Sequence, residues 1–194
     1  SDDARTAYEN MIKLVTLAEE AIRLSDKSPI KLRYTPSVLK VGDIAPVIRG
    51  TYSRARSYYA KNDSMKSLNA NSIISFRTSP QILKYLNGEA IDRYANRGVA
   101  TPDHVIHTRN KPMIFKIPET IESLRESMEV AFKEFINSYA DYIDRNINSK
   151  IDSNLALDLR PRVILLPNLG LIGLGQSKAE ADVAADIAEA TIDT

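Results

Sequence analysis

Arg162-Val163-Ile164-Leu165-Leu166-Pro167-Asn168-Leu169-Gly170-Leu171-Ile172-Gly173-Leu174-Gly175 is the stretch on which the fold turns, and a patterned segment from Ser177 to Ile192 follows it. The apolar run 162–166 reads as a strand, 167–175 as a glycine-punctuated tight loop, and 177–192 as a helix. Strand, loop and helix form the basic unit of an α/β layer. Ser177-Lys178-Ala179-Glu180 has the form of a capping box, in which hydroxyl and carboxylate each satisfy an end amide. Val183, Ala184, Ile187, Ala190 and Thr191 are expected to face inward, the alanines allowing close packing on a sheet. The spacing Gly170-x-x-Gly173-x-Gly175 is not the dinucleotide pattern G-x-G-x-x-G, and no second strand with an acidic residue follows. The glycines are expected to let the loop turn sharply at a sheet edge, so no cofactor-binding residue is assigned.

Outward from this stretch, the longest patterned segment runs from Pro118-Glu119 to about Asn146. Ile121, Leu124, Met128, Ala131, Phe135, Ser138 and Tyr142 step by three and four, flanked by Phe132, Tyr139 and Ile143. That wide aromatic stripe predicts a helix laid on the sheet, with a partner-helix or oligomerisation surface as the other reading. Pro112 to Ile117 and Asn71 to Thr78 read as strands. Ser79-Pro80 and Thr101-Pro102 each place a capping residue before a proline, which opens a helix. Another short helix is expected within 89–96, and 147–161 reads as a polar loop.

Nearer the start, Asp3 can cap a helix running to about Leu24, with Tyr8, Met11, Ile12, Val15, Ala18 and Ile22 on one face. Residues 30–42 read as irregular, and a second helix is expected from Asp43 to about Ala60, with Pro46 in its first turn. Arg49, Arg54, Arg56 and Lys61 interleave there with Tyr52, Tyr58 and Tyr59. A phosphate or nucleic-acid face is one reading. The near-neutral chain, with net charge +1, favours a solvated helix side with tyrosines on its rim.

Composition narrows the classes further. The 194 residues are 43% hydrophobic and 26% charged, which is globular usage. No cysteine is present, which excludes disulfides and thiolate zinc sites. No apolar run approaches the ~20 residues of a membrane span, and Ser1 to Arg5 lack the form of a signal peptide. A cytoplasmic protein without nucleic-acid or membrane partners is the expectation. The start on Ser1, inside a predicted helix N-terminus, suggests a piece of a longer protein.

Residues with possible chemistry are few. Asp103-His104-Val105-Ile106-His107 carries both histidines of the chain, and on a helical turn they would share a face, as a metal pair requires. No third ligand has a fixed place, so a polar pocket is the better reading. Arg109 and Lys111 follow closely and make an anion pocket conceivable. Asp103, His104, His107, Arg109 and Lys111 are therefore the candidate pocket residues, and no catalytic residue or metal ligand is assigned.

Gly98-Val-Ala-Thr-Pro-Asp-His-Val-Ile-His-Thr-Arg-Asn-Lys-Pro112 and Pro161-Arg-Val-Ile-Leu-Leu-Pro-Asn-Leu-Gly-Leu-Ile-Gly-Leu-Gly175 resemble the middle region of a bacterial protein family. Its members fuse a class II aldolase/adducin-type domain to a C-terminal short-chain dehydrogenase, of the rhamnulose-1-phosphate aldolase/lactaldehyde or alcohol dehydrogenase type. The resemblance implies an α/β fold with a central sheet flanked by helices, a degenerate class II aldolase/adducin-like domain with an extra N-terminal helix. Residues 1–28 would belong to a preceding aldolase domain and 29–194 would form the middle domain. Class II aldolases carry their third zinc histidine in an Asn-His-Gly-Leu loop, and here Asn168-Leu169-Gly170-Leu171 stands in that place. The resemblance thus implies a non-catalytic scaffold or oligomerisation domain, with flanking aldolase and dehydrogenase domains as partners and a homo-oligomer as a further option. Zinc and NAD are implied for the parent and neither for this segment. The alternative is a sugar-phosphate-binding domain using residues 103–111.

Overall fold

The computed structural model describes residues 3–24, 31–58, 72–146 and 158–193. The chain divides into two compact units, Ser1–Ile30 and Lys31–Thr194. The first is helix α1 (Ala4–Leu24). Asp3 caps it as the sequence predicts, accepting the Thr6 N–H at 2.9 Å and the Thr6 hydroxyl at 2.7 Å. None of its residues is buried, and the predicted apolar face is in the open, Met11 at 51% exposure and Val15 at 50%.

The second unit contains α2 (Val41–Ala55, continued by a 3-10 turn to Tyr58), β1 (Ile73–Arg77), α3 (Pro80–Leu86), α4 (Ile91–Tyr94) and α5 (Pro102–Thr108). After these come β2 (Met113–Ile114), α6 (Ile121–Asn146), β3 (Val163–Leu166), β4 (Gly170–Gly175) and α7 (Lys178–Asp193). The four strands form one sheet in the order β1-β4-β3-β2. β4 lies antiparallel to both β1 and β3, and β2 lies parallel to β3.

The largest departure from the sequence reading is β4. The glycine-rich run is an interior strand of a β-hairpin, and only 167–169 form the turn. Glycine marks strand interiors where another backbone comes close, and that is its use here. A Cβ on Gly173 would lie 2.2 Å from the Ala181 carbonyl oxygen, and one on Gly175 would lie 2.6 Å from the Ala181 nitrogen. Both glycines face α7. Loop and close-approach glycines look alike in sequence, so the sheet-edge turn is corrected to a helix-packing seam.

Strand alternation distributes the core over both faces of the sheet. Ile164, Leu166, Ile172 and Leu174 pack with Ile44, Ile48 and Tyr52 of α2 and Leu124, Met128 and Phe132 of α6. Val163, Leu165 and Leu171 pack on the other face with Ala184 and Ala185 of α7, Ile82 and Leu86 of α3 and Ile91 of α4. The α6 stripe is therefore buried in a core shared between α2 and the sheet, with Phe132 edge-on to Tyr52. On α7 the buried residues are Ala181, Ala184 and Ala185, whereas Val183 is 38% exposed. Of the five positions expected inward, only Ala184 is fully buried, because contact with the glycine seam selects the alanine face.

Several boundaries also move. α2 starts at Val41, so Pro46 is the sixth residue of the helix rather than part of its first turn. Its exposed side tolerates the missing N–H bond. Tyr59, Ala60 and Lys61 lie outside the described residues, as do 147–157 of the polar loop. Tyr52 is fully buried rather than on a rim, Arg49 donates to the Ser72 carbonyl at 2.8 Å, and Arg54 pairs with Glu129 at 2.8 Å. The basic stretch is thus committed to internal partners at these positions. The strand expected over 112–117 reduces to Met113–Ile114. α6 begins at Ile121, with Thr120 accepting the Ser123 N–H at 3.3 Å.

Polar contacts pin α7 to the sheet at its rim. The Ser75 hydroxyl donates to Asp182 at 2.6 Å, and Arg77 pairs with Asp186 at 3.1 Å. The Ser177 hydroxyl accepts the Glu180 N–H at 3.2 Å, while the Glu180 carboxylate takes the Gln176 N–H rather than that of Ser177. Hydrogen bonds from Lys178 and Ser75 hold the Asp182 carboxyl below its ordinary value of 3.8. A carboxylate lowered in the folded state contributes stability that is complete above its unfolded value and is lost as pH falls through the lowered one. Acidification through that window is therefore expected to loosen α7 from β1, read as faster amide exchange in α7, and Asp182→Asn should flatten the response.

Candidate functional site

The segment 101–111 forms as predicted but does not gather its polar residues. Thr101 caps α5, accepting the His104 N–H at 3.4 Å. Asp103 and His107 are exposed, and His104 is half-buried with an Nδ1 that has no hydrogen-bond partner. No group of three or more His, Cys, Asp or Glu able to hold a metal occurs among the described residues. Arg109 then takes a positive φ of 71° and directs its side chain inward, where it is buried. Lys111 donates to the Ser138 hydroxyl of α6 at 2.9 Å. The five candidates thus serve separate places.

Arg109 enters a cluster that the sequence reading missed. Asp158 accepts from Arg160 Nε at 2.8 Å and from its Nη2 at 3.0 Å. Arg160 is 1% exposed; its Nη1 donates to the Tyr52 carbonyl at 3.2 Å and its guanidinium lies 4.0 Å over the Tyr52 ring. Arg109 donates to the Arg160 carbonyl at 3.1 Å and stands 5.5 Å over the Tyr139 ring. Arg109 and Arg162 each come within 3.8 Å of Asp158, and Arg162 also pairs with Glu180 at 2.8 Å. Burial pushes the Arg109 value down and, with Asp158 reinforcing it, the Tyr52 value up. Arginine keeps its proton across the working pH range, so the cluster offers no general acid–base pair. Its role is to tie α2, α6 and the lead into β3 together. Two arginines flanking a proline just before a wholly apolar strand, with an aspartate two residues earlier, are the signal that could have revealed it.

A third feature lies at the β3–β4 turn. Asn168 sits at φ 67°, a conformation asparagine tolerates better than most residues. Its N–H donates to Asn87 Oδ1 at 2.7 Å, and its own Oδ1 accepts the Thr35 N–H at 3.1 Å. Leu169 turns the other way and packs, half-buried, against the core shared with α2 and α6. Beside the turn is a cleft of about 510 Å³ whose lining includes Thr35, Pro36, Asn87, Lys116, Pro167 and Asn168. It lies beyond the carboxyl ends of the parallel pair β2 and β3, the side of an α/β sheet where ligands bind.

The match to known proteins agrees with this architecture. Residues 40–194 match the family model described as aldolase class II, second domain. The protein named "Uncharacterized oxidoreductase YuxG" of Bacillus subtilis (strain 168) is 26% identical over 194 residues, covering 94% of this chain and 26% of that protein. The chain thus spans about a quarter of the curated relative it matches. No solved structure matches. No described helix is long and apolar enough to cross a membrane. By the extent of the family match, the chain belongs to the class II aldolase second-domain family.

Proposed function

We propose that this chain is a non-catalytic, architectural domain of a larger protein that joins a class II aldolase-type domain to a short-chain dehydrogenase. The observation that carries this reading is Leu169. At the place where the resemblance puts a zinc histidine, a half-buried aliphatic side chain packs against the core, and it has no lone pair to offer a metal. The amide oxygens of Asn87 and Asn168 already accept backbone N–H groups, and the described carboxylates and histidines form no group of three able to hold a metal, so this site does not fit zinc. The glycine seam likewise does not fit a dinucleotide, because α7 fills the space that a pyrophosphate would need. The relative's description as an oxidoreductase supports a dehydrogenase partner, and the separateness of the α1 unit supports reading it as part of another domain. In such a parent, retro-aldol cleavage of a deoxyketose 1-phosphate and NAD-linked oxidation of the aldehyde would belong to the flanking domains.

Purified residues 1–194 are expected to release no aldehyde from a deoxyketose 1-phosphate with zinc added, and to reduce no NAD with an aldehyde. Turnover in either assay would overturn the reading. In the full-length protein, His104→Ala is expected to leave both rates unchanged.

A further inference from the structure

We infer that the cleft at the β3–β4 turn binds a small, neutral, polyhydroxylated molecule, through the side-chain amides of Asn87 and Asn168. This goes beyond the architectural reading, and neither depends on the other.

Asn87 is 7% exposed. Its Oδ1 is fixed by the Asn168 N–H, so the other end of the amide must be Nδ2, and that group donates no hydrogen bond within the protein. The same logic fixes Asn168: Thr35 N–H holds its Oδ1, and its Nδ2 is left over. Both residues line the cleft, so two amide donors are oriented there by backbone bonds before any ligand arrives. Both nitrogens keep contact with solvent, and a ligand oxygen can take the place of the water they meet there. Preorganised donors of this kind set ligand orientation at little entropic cost.

The rim decides the chemical class. Its charged groups are Arg33 and Lys116 against Glu89, Asp92 and Glu119, a net of one negative charge. Arg33 is moreover already paired with Glu89 at 3.2 Å. A phosphate or carboxylate ligand would meet net repulsion. Hydroxyl groups suit the set, since each can accept from an amide and donate to a carboxylate. Pro36, Ile117, Pro118 and Pro167 supply apolar wall for the C–H face of such a molecule. The volume falls within the range of small-molecule sites.

The test uses the whole 194-residue chain labelled with 15N, following the side-chain amide signals of Asn87 and Asn168. D-Fructose, D-xylose and glycerol are titrated at millimolar concentration, with D-fructose 1-phosphate as the charged arm. At least one neutral compound is expected to shift both amide signals saturably, with the phosphate ester binding more weakly than fructose. Asn87→Asp keeps the oxygen that accepts the Asn168 N–H and removes the donor, and it should weaken binding about tenfold. Asn168→Gly tolerates the positive φ, removes the second donor and should do the same, which keeps the test valid if one variant folds poorly. No saturable shift with any neutral compound would overturn the inference. So would tighter binding of the phosphate ester, or unchanged affinity in folded variants. Sugar binding without turnover leaves the architectural reading intact.

Discussion

Arg160→Ala is expected to lower the unfolding free energy of the 31–194 unit by about 3–5 kcal/mol, the range for breaking a buried ion pair from one side. The side chain is almost wholly enclosed and makes two bonds to Asp158 and one to the Tyr52 carbonyl. Truncation removes the face that stacks on Tyr52 and the two charge-assisted bonds to Asp158, beside which Arg109 and Arg162 stand at 3.8 Å. Arg160→Met should cost less, since its unbranched chain refills part of the volume. Arg162→Ala should also cost less, because that side chain is 16% exposed and its Glu180 partner 47% exposed. Urea denaturation of the three variants ranks them. A loss below about 1 kcal/mol for Arg160→Ala would show that the cluster does not hold α2 to the sheet.

The second large effect is expected at the glycine seam. Gly173→Ala introduces a Cβ 2.2 Å from the Ala181 carbonyl oxygen and 2.7 Å from the Ala185 nitrogen, both of them backbone atoms of α7. Neither can rotate away, so the helix must lift from the sheet, uncovering Val163, Leu165 and Leu171. We expect a loss of about 3 kcal/mol or more, at the upper end for overpacking. Gly42→Ala is the control: nothing lies within 4 Å of a Cβ there, and the position is helical. Replacement should be neutral or stabilising by up to about 1 kcal/mol. Thermal melts of the two variants should therefore move apart, and a Gly173→Ala protein that melts with the parent would contradict the close approach.

What was legible in the sequence was what short-range chemistry decides. Ser79 and Thr101 cap helices where proline follows, and Asp3 caps α1. The α6 spacing located its buried face in part, with Leu124, Met128 and Phe135 of the stripe and its neighbours Phe132 and Tyr139 buried, whereas the same spacing in α1 buries nothing. The α/β class followed from the strand and helix patterns, and the central sheet flanked by helices from the family resemblance. β4 was not legible as a strand, since glycine carries no side-chain pattern and its reason lies in a helix that comes later in the chain. The arginine cluster was hidden for a related reason: Tyr52, Arg109 and Arg160 meet only once α2, the turn after α5 and the lead into β3 are assembled. Of the 103–111 candidates, adjacency in sequence suggested one pocket. The left-handed residue Arg109 separates them, sending its own side chain inward while His107 stays outside.

The order of strands also bears on how the chain reaches this state. β3, β4 and α7 are consecutive, joined by a three-residue turn and a two-residue link, so their mutual contacts close only short loops. β1 must instead return across most of the domain to place Ser75 opposite Gly173. Loop closure costs more for such a distant pairing and slows it. The hairpin and its helix are thus expected to form first, with docking of the early strand setting the folding rate, which substitutions in β1 would show by slowing refolding.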